Sequence, residues 1–220
     1  MSLLKGTISR FTEYLGGDIR AALRQTYLQS LANAQVEPSG YEMTRAGRRF
    51  ILGNSAAITG IANVTALPTT AAQWIIWNNS TEKSLIFEEI GMYNTLGTPG
   101  VGGVLLAAIA SVLTVAAGST NATGAKISNA NGGDIATAAV VVASKTISTP
   151  AAPNWFPIAQ NNSPNVGAFP GSGNFENRQI NGRIIVRPGQ GLSLNVIGLA
   201  GTTPLWAPFA QWLEYKSDNE

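Results

Sequence analysis

The chain has 220 residues, enough to bury one full-sized hydrophobic core, and only 12% of them are charged. It contains neither histidine nor cysteine, which excludes Ser-His-Asp and Cys-His catalysis, thiolate metal sites and a disulfide framework. The net charge is +2 without a dense basic patch, so nucleic-acid binding is not favoured, and the low charge predicts a surface partly covered by copies of the chain or by a partner.

The first predicted element is an amphipathic helix near the amino terminus. Apolar residues recur at every fourth position across residues 19–35, and Asp18 in front of them is a suitable N-cap. We interpret residues 1–40 as an arm that carries this helix, and residues 41–220 as the main domain. The first residues lack the apolar segment of a signal peptide, so we expect the product to stay in the cytoplasm in which it is made.

Two groups of arginines precede the first strand pattern. Arg20 and Arg24 lie one helical turn apart beside the apolar stripe of the predicted helix. Arg45, Arg48 and Arg49 lie within five residues of each other, directly before a strand pattern. Each group is either solvated or in contact with a partner. In the second case, the first group belongs to an arm that crosses to a neighbouring subunit or to a capsid shell. The second group then meets acidic side chains of a partner.

Two strand patterns flank an asparagine-rich turn in the middle of the chain. The patterns are Trp74–Trp77 and Ser84–Met92. Strict alternation in the second strand places Glu89 on the same face as Phe87 and places Glu88 on the opposite face. Carboxylates on opposite faces argue against a paired-carboxylate active site.

The next segments are a glycine-rich loop at 97–103 and an apolar stretch at 104–117. The loop lacks the Lys-Ser/Thr pair of a phosphate-binding loop. The apolar stretch lacks the flanking Lys or Arg that orients a membrane span, so we interpret it as a buried strand with an adjoining strand or short helix. Polar residues 118–134 then predict turns, and the valine-rich residues 135–147 predict another strand.

Residues 160–177 form the longest predicted loop. They are rich in Asn, Gly, Ser and Pro and exceed the usual loop length inside a compact domain, which favours a role in function or assembly. Phe169 and Phe175 stand among these polar residues. They either fill a pocket on a partner or pack back onto the parent sheet.

The carboxyl-terminal part carries the clearest strand pattern. Ile184–Arg187 and Leu192–Ile197 alternate around a turn at Pro188–Gly191, where a glycine can take positive φ, and we predict a β-hairpin. The predicted core is then closed by an aromatic run that contains Trp206, Phe209, Trp212 and Tyr215.

The number and spacing of these elements predict the fold class. About eight strand patterns, one early helix and no alternating β-α units favour an all-β protein. We predict an antiparallel β-sandwich with a short N-terminal α-helix or arm. A jelly roll and another Greek-key sandwich both fit the pattern.

Two blocks of the sequence share a particular order of strands and turns. In one, the turn RPGQG separates two strands, and AGTTPLWAPF leads to a closing strand with WLEY. In the other, Trp74–Ala107, an aromatic strand, an Asn-rich turn, a long apolar strand and a Gly-rich loop follow each other. Both blocks resemble virion structural proteins of tailed phages, including capsid decoration, or cement, proteins of the jelly-roll type. The resemblance implies a jelly roll that assembles as a homotrimer and binds the major capsid protein at the capsid surface.

Two classes of function follow from the sequence. The first is a phage virion structural protein, most directly a decoration protein that stabilises the shell, with major capsid, head-tail and tail proteins as alternatives. Neither block carries a catalytic signature, so for this class we expect no enzymatic activity, cofactor or small-molecule substrate, and no contact with nucleic acid or membrane. The second class is a carbohydrate-binding sandwich, since five Trp and five Tyr permit stacking on sugars. For the first class the predicted partner contacts are Arg20, Arg24, Arg45, Arg48, Arg49, Phe169 and Phe175.

Overall fold

Eleven β-strands and one short helix form the described part of the chain. A computed structural model describes residues 39–69, 71–98, 102–111, 120–133, 135–146, 154–161, 175–198 and 202–216. Helix α1 spans Ser39–Arg45. The strands are β1 (Arg49–Asn54), β2 (Ile61–Ala62), β3 (Ala71–Asn78), β4 (Lys83–Thr98), β5 (Gly103–Ser111), β6 (Ala125–Asn129), β7 (Ala139–Thr146), β8 (Phe156–Asn161), β9 (Phe175–Val186), β10 (Gln190–Gly198) and β11 (Thr202–Lys216).

The chain divides into two units, Met1–Glu42 and Met43–Glu220. All eleven described strands belong to the second unit. The helix predicted at residues 19–35 lies outside the described residues. The predicted boundary between an arm and a domain therefore stays a prediction.

The order of the strands is that of a jelly roll. Sheet A has the order β6-β1-β11-β4-β9, with β2 also paired to β11, and sheet B has the order β7-β3-β10-β5-β8. Without the short β2 and the inserted strands β6 and β7, the first of the eight strands pairs with the last, the second with the seventh, the third with the sixth and the fourth with the fifth, always antiparallel. This is one long antiparallel ribbon folded over on itself. The predicted all-β antiparallel sandwich of the jelly-roll type is confirmed.

The buried side chain of Asn78 holds the corner at which the ribbon crosses between the sheets. Its Nδ2 donates to the carbonyl oxygens of Lys83, 2.6 Å away, and of Val186, 3.1 Å away. Its Oδ1 accepts a hydrogen bond from the backbone N–H of Ser80 at 3.1 Å, and its backbone oxygen accepts one from Gly189 at 3.1 Å. One residue therefore binds both the β3–β4 connection and the β9–β10 connection.

The hydrophobic core lies between the two sheets. Trp212 of sheet A is fully buried and packs between Phe50 and Phe87, with ring centroids 6.2 and 5.9 Å away. From sheet B, the Nε1 of Trp74 donates to the backbone oxygen of Trp206 at 2.9 Å. This hydrogen bond joins the sheets inside the core and satisfies an indole N–H that water cannot reach.

The predicted hairpin between Ile184–Arg187 and Leu192–Ile197 is wrong. Both strands exist, and Gly189 in the turn has a φ of 73°, as predicted for a glycine there. However, β9 pairs with β4 in sheet A, whereas β10 pairs with β3 and β5 in sheet B. Alternating apolar side chains only require that both strands face the same core. Two strands in facing sheets meet this requirement as well as two paired strands do.

A β-bulge in β4 changes the predicted faces of that strand. The pairing register shifts between Phe87 and Glu89 on both sides of β4. Ile90, not Glu89, therefore joins Leu85 and Phe87 in the core, where all three are fully buried. Glu88 and Glu89 both lie between two inward-facing residues. One extra residue in a strand moves every later side chain to the other face.

We expect Asn78→Ala to lower the free energy of unfolding by about 2–4 kcal/mol, because the buried carbonyl group of Val186 and the partly buried carbonyl of Lys83 and N–H of Ser80 lose their partner. Urea denaturation followed by circular dichroism measures this loss. Asn79→Ala is the matched control: its side chain is exposed, so a loss below about 0.5 kcal/mol is expected. Equal losses for the two variants would show that the Asn78 side chain does not hold the corner.

Candidate functional site

The predicted partner contacts fall in different parts of the chain. Arg20, Arg24 and Phe169 lie outside the described residues. Phe175 is the first residue of β9, opposite Met92 of β4. The other three predicted contacts are Arg45, exposed in the last turn of α1, Arg48 just before β1, and Arg49, the first residue of β1. All seven residues remain predictions as partner contacts.

Arg49 is part of an ion pair on the outer face of sheet A. Its Nε and Nη2 lie 2.7 and 2.5 Å from Oε2 of Glu88. The pair joins β1 to β4 across β11, which lies between them. Both side chains are mostly shielded from solvent, at 28% and 20% exposure. The ion pair therefore fixes the guanidinium group over the sheet before any partner arrives.

Arg48 lies over the ring of Tyr215, which alternation in β11 places on the outer side of sheet A together with Leu213. Its guanidinium carbon is 5.8 Å from the ring centroid, a cation–π geometry that contributes about 0.5–1 kcal/mol at an exposed site. The backbone of Arg48 accepts a hydrogen bond from the N–H of Glu214 at 2.8 Å. Tyr215 is 44% exposed. An aromatic ring and a cation are thus presented together to solvent.

The end of β9 presents three more side chains to solvent. Arg183, Ile185 and Arg187 are exposed, and they alternate with the buried residues Ile184 and Val186. Ile185 is 48% exposed, so an aliphatic side chain faces solvent between the two arginines. Neither arginine has an ion pair with any residue in the described part of the chain.

The strand register joins these groups into one surface. Ile185 of β9 lies opposite Ile86 of β4, Ile86 lies opposite Leu213 of β11, and Leu213 lies opposite Arg49 of β1. An aliphatic row therefore crosses three strands on the solvent side of sheet A. We name as the outer patch this row together with the arginines and the tyrosine beside it: Arg48, Arg49, Ile86, Arg183, Ile185, Arg187, Leu213 and Tyr215.

The outer patch has the residue types that dominate protein–protein interfaces. Arg and Tyr are enriched among interface hot spots, and the aliphatic row supplies the apolar contact that such sites need. Sequence reasoning found Arg48 and Arg49 but not Arg183, Ile185 or Tyr215. The signal was present in the sequence GRIIVR at residues 182–187. Once Ile184 and Val186 are known to point inward, alternation places Arg183, Ile185 and Arg187 together on the opposite face.

Four of the five tryptophans do not offer surfaces for sugar stacking. Trp74, Trp206 and Trp212 are at most 3% exposed and lie in the core between the sheets. Trp77 is 8% exposed and belongs to a second apolar cluster with Ile75 and Val142. Four of the five tryptophans on which the carbohydrate-binding alternative rested are therefore not available for stacking on a sugar.

Glu214 is a buried carboxylate at the edge of the core. Its Oε1 accepts hydrogen bonds from the hydroxyl of Thr137 at 2.6 Å and from the N–H of Ala138 at 2.7 Å. Its Oε2 lies 3.2 Å from Nζ of Lys83. The carboxylate therefore ties the segment that leads into β7 of sheet B to β11 of sheet A, and its contacts explain its burial without a ligand.

Comparisons with known proteins identify no relative of this chain. No family model matches the sequence, and no curated protein or solved structure is significantly similar to it. Among the described residues, no three acidic side chains come together as a metal site. Within the same ranges, no helix has the length and apolar character needed to span a membrane.

We expect Glu214→Ala to destabilise the domain by about 2–3 kcal/mol, because the N–H of Ala138 and the hydroxyl of Thr137 lose their acceptor at a buried position. Glu214→Gln keeps an acceptor oxygen and should lose less than half of that amount. Urea titration of both variants beside the unchanged chain measures the difference. Equal losses for alanine and glutamine would show that the hydrogen bonds accepted by Glu214 do not stabilise the contact between the segment before β7 and β11.

Proposed function

We propose that the chain is a structural protein of a tailed-phage virion, and specifically a decoration protein that binds the assembled capsid shell and stabilises it. The observation that carries the proposal is the outer patch on a jelly-roll scaffold. A jelly roll is also the fold that the resemblance of the two sequence blocks implies. Two sheets with a shared, fully buried core form a rigid support that can hold such a patch in one geometry.

The low charge of the chain supports binding to a large surface. A chain with 12% charged residues and exposed isoleucine and tyrosine side chains gains stability when a partner covers these groups. On a shell the same contact is repeated many times. Modest affinity per copy then suffices, particularly when the copies form an oligomer that engages several sites at once.

The proposed oligomer is a homotrimer, as the resemblance implies. A trimer places three outer patches on one particle, so the second and third contacts form at high effective concentration. Other virion components, such as head-tail or tail proteins, have the same need for a rigid protein-binding sandwich. Binding to the shell is what separates a decoration protein from them.

The direct test is binding of the purified full-length chain to shells assembled from the major capsid protein encoded in the same genome. We expect the chain to sediment with the shells and to saturate them at a fixed ratio of copies per capsid subunit. Light scattering after size-exclusion chromatography should give the mass of three chains for the unbound protein. Shells of an unrelated phage serve as the control.

Stabilisation is the second readout of the same experiment. Because ligands that bind only the assembled state stabilise it, saturated shells should dissociate at a higher temperature than bare shells. A chain that neither sediments with the shells nor raises this temperature would exclude the decoration role.

A further inference from the structure

We infer that the outer patch is the face that contacts the shell, and that its binding surface on the capsid subunit is acidic and contains exposed aliphatic side chains. This inference rests on the proposed function and adds the chemistry of the partner. It follows from the charge, the apolar exposure and the edge geometry of sheet A.

The charges on the outer patch do not balance. The charge of Arg49 is neutralised by Glu88, 2.5 Å away. Glu89 also faces the outer side of sheet A, where it lies opposite Gln211 of β11. Arg48, Arg183 and Arg187 have no carboxylate partner in the described part of the chain. A partner that places carboxylates opposite these three arginines gains charge-assisted hydrogen bonds, and a basic partner is repelled.

The patch also excludes a second copy of itself as its occupant. Two identical patches facing each other across a two-fold axis would bring three arginines in each copy, none with an ion pair among the described residues, against those of the other copy, more positive charge than Glu89 of each copy offsets. The aliphatic row, in turn, excludes a purely polar partner, because Ile185 at 48% exposure would stay in contact with water or with polar groups. The surface that fits has carboxylates around an apolar centre.

The edge strand β9 of sheet A favours binding of the partner to the outer face of the sheet over pairing of a partner strand with β9. In β9, Asn181 and Gly182 both have positive φ, at 52° and 75°, which interrupts the regular edge. Such irregularities prevent pairing with a further strand. Side chains of the outer patch, rather than backbone groups of β9, are therefore the binding elements.

Charge reversals on the full-length chain test the inference. We expect Arg183→Glu and Arg187→Glu each to weaken binding to the shells by about 10-fold, and the double variant by about 100-fold. The reason is that a charged group left without its partner in an interface accounts for most of the lost affinity. Ile185→Ser should weaken binding by about 5-fold through loss of apolar contact. Binding of the unchanged chain should also fall as the salt concentration rises, and the double variant should lose this dependence.

Lys126→Glu is the matched control. Lys126 is exposed on the outer side of β6, opposite Gly53 of β1, and thus on the same sheet face as the patch. It lies at the other edge of the sheet, about 19 Å from β9 by strand spacing. The same reversal of charge there should change the affinity by less than about 2-fold. Circular dichroism melts of all variants verify that each is folded.

The outcomes separate the inference from the proposed function. Loss of binding in the patch variants with an intact control supports both. If the unchanged chain binds the shells, and the patch variants bind equally well or the control loses as much as they do, the inference is overturned while the proposed function stands. If the unchanged chain does not bind the shells at all, the proposed function fails and the inference fails with it.

Discussion

The corner around Asn78 is the point on which the jelly roll depends, because two connections cross between the sheets there together. One amide side chain binds the carbonyl group that opens β4 and the one that closes β9, and the backbone oxygen of the same residue binds the turn that leads to β10. These bonds set where the ribbon bends and so which residues face the core. They also place Ile185 and Ile86 side by side just beyond the bend, where the aliphatic row of the outer patch crosses sheet A.

The sequence predicts the strands better than it predicts their partners. The strand pattern placed Trp206 and Trp212 in the core, and turn chemistry located the turn at Gly189, because both signals are local in sequence. The assignment of β9 and β10 to different sheets depends on a bend held by Asn78, far away in sequence, and no local pattern reports it. Alternation alone also missed the bulge at Glu88, since a single extra residue leaves no mark in composition. Of the outer patch, the sequence predicted only Arg48 and Arg49 as partner contacts. The other members are far from them in sequence and meet them only through the pairing of β1, β11, β4 and β9.

The proposed role depends on a difference between the two sides of sheet A: the inner side forms the core and the outer side is available to a partner. The inner side carries the aromatic core around Trp212, which fixes the sheet as a rigid support. The outer side carries cations, a tyrosine and an aliphatic row whose positions are set by strand register and by the Arg49–Glu88 pair. A support of this kind needs no movement to bind, so little ordering entropy opposes association. Repetition of the contact over a lattice then turns modest affinity into stability of the shell.

The most direct measurement is a cryo-electron microscopy reconstruction of shells saturated with the full-length chain. The account predicts ordered density for the sandwich with the outer side of sheet A against the capsid subunits, and with Arg183 and Arg187 opposite carboxylates. A sandwich that contacts the shell through sheet B, with the outer patch in solvent, would contradict the assignment of the binding face. Shells without added density would contradict the decoration role itself.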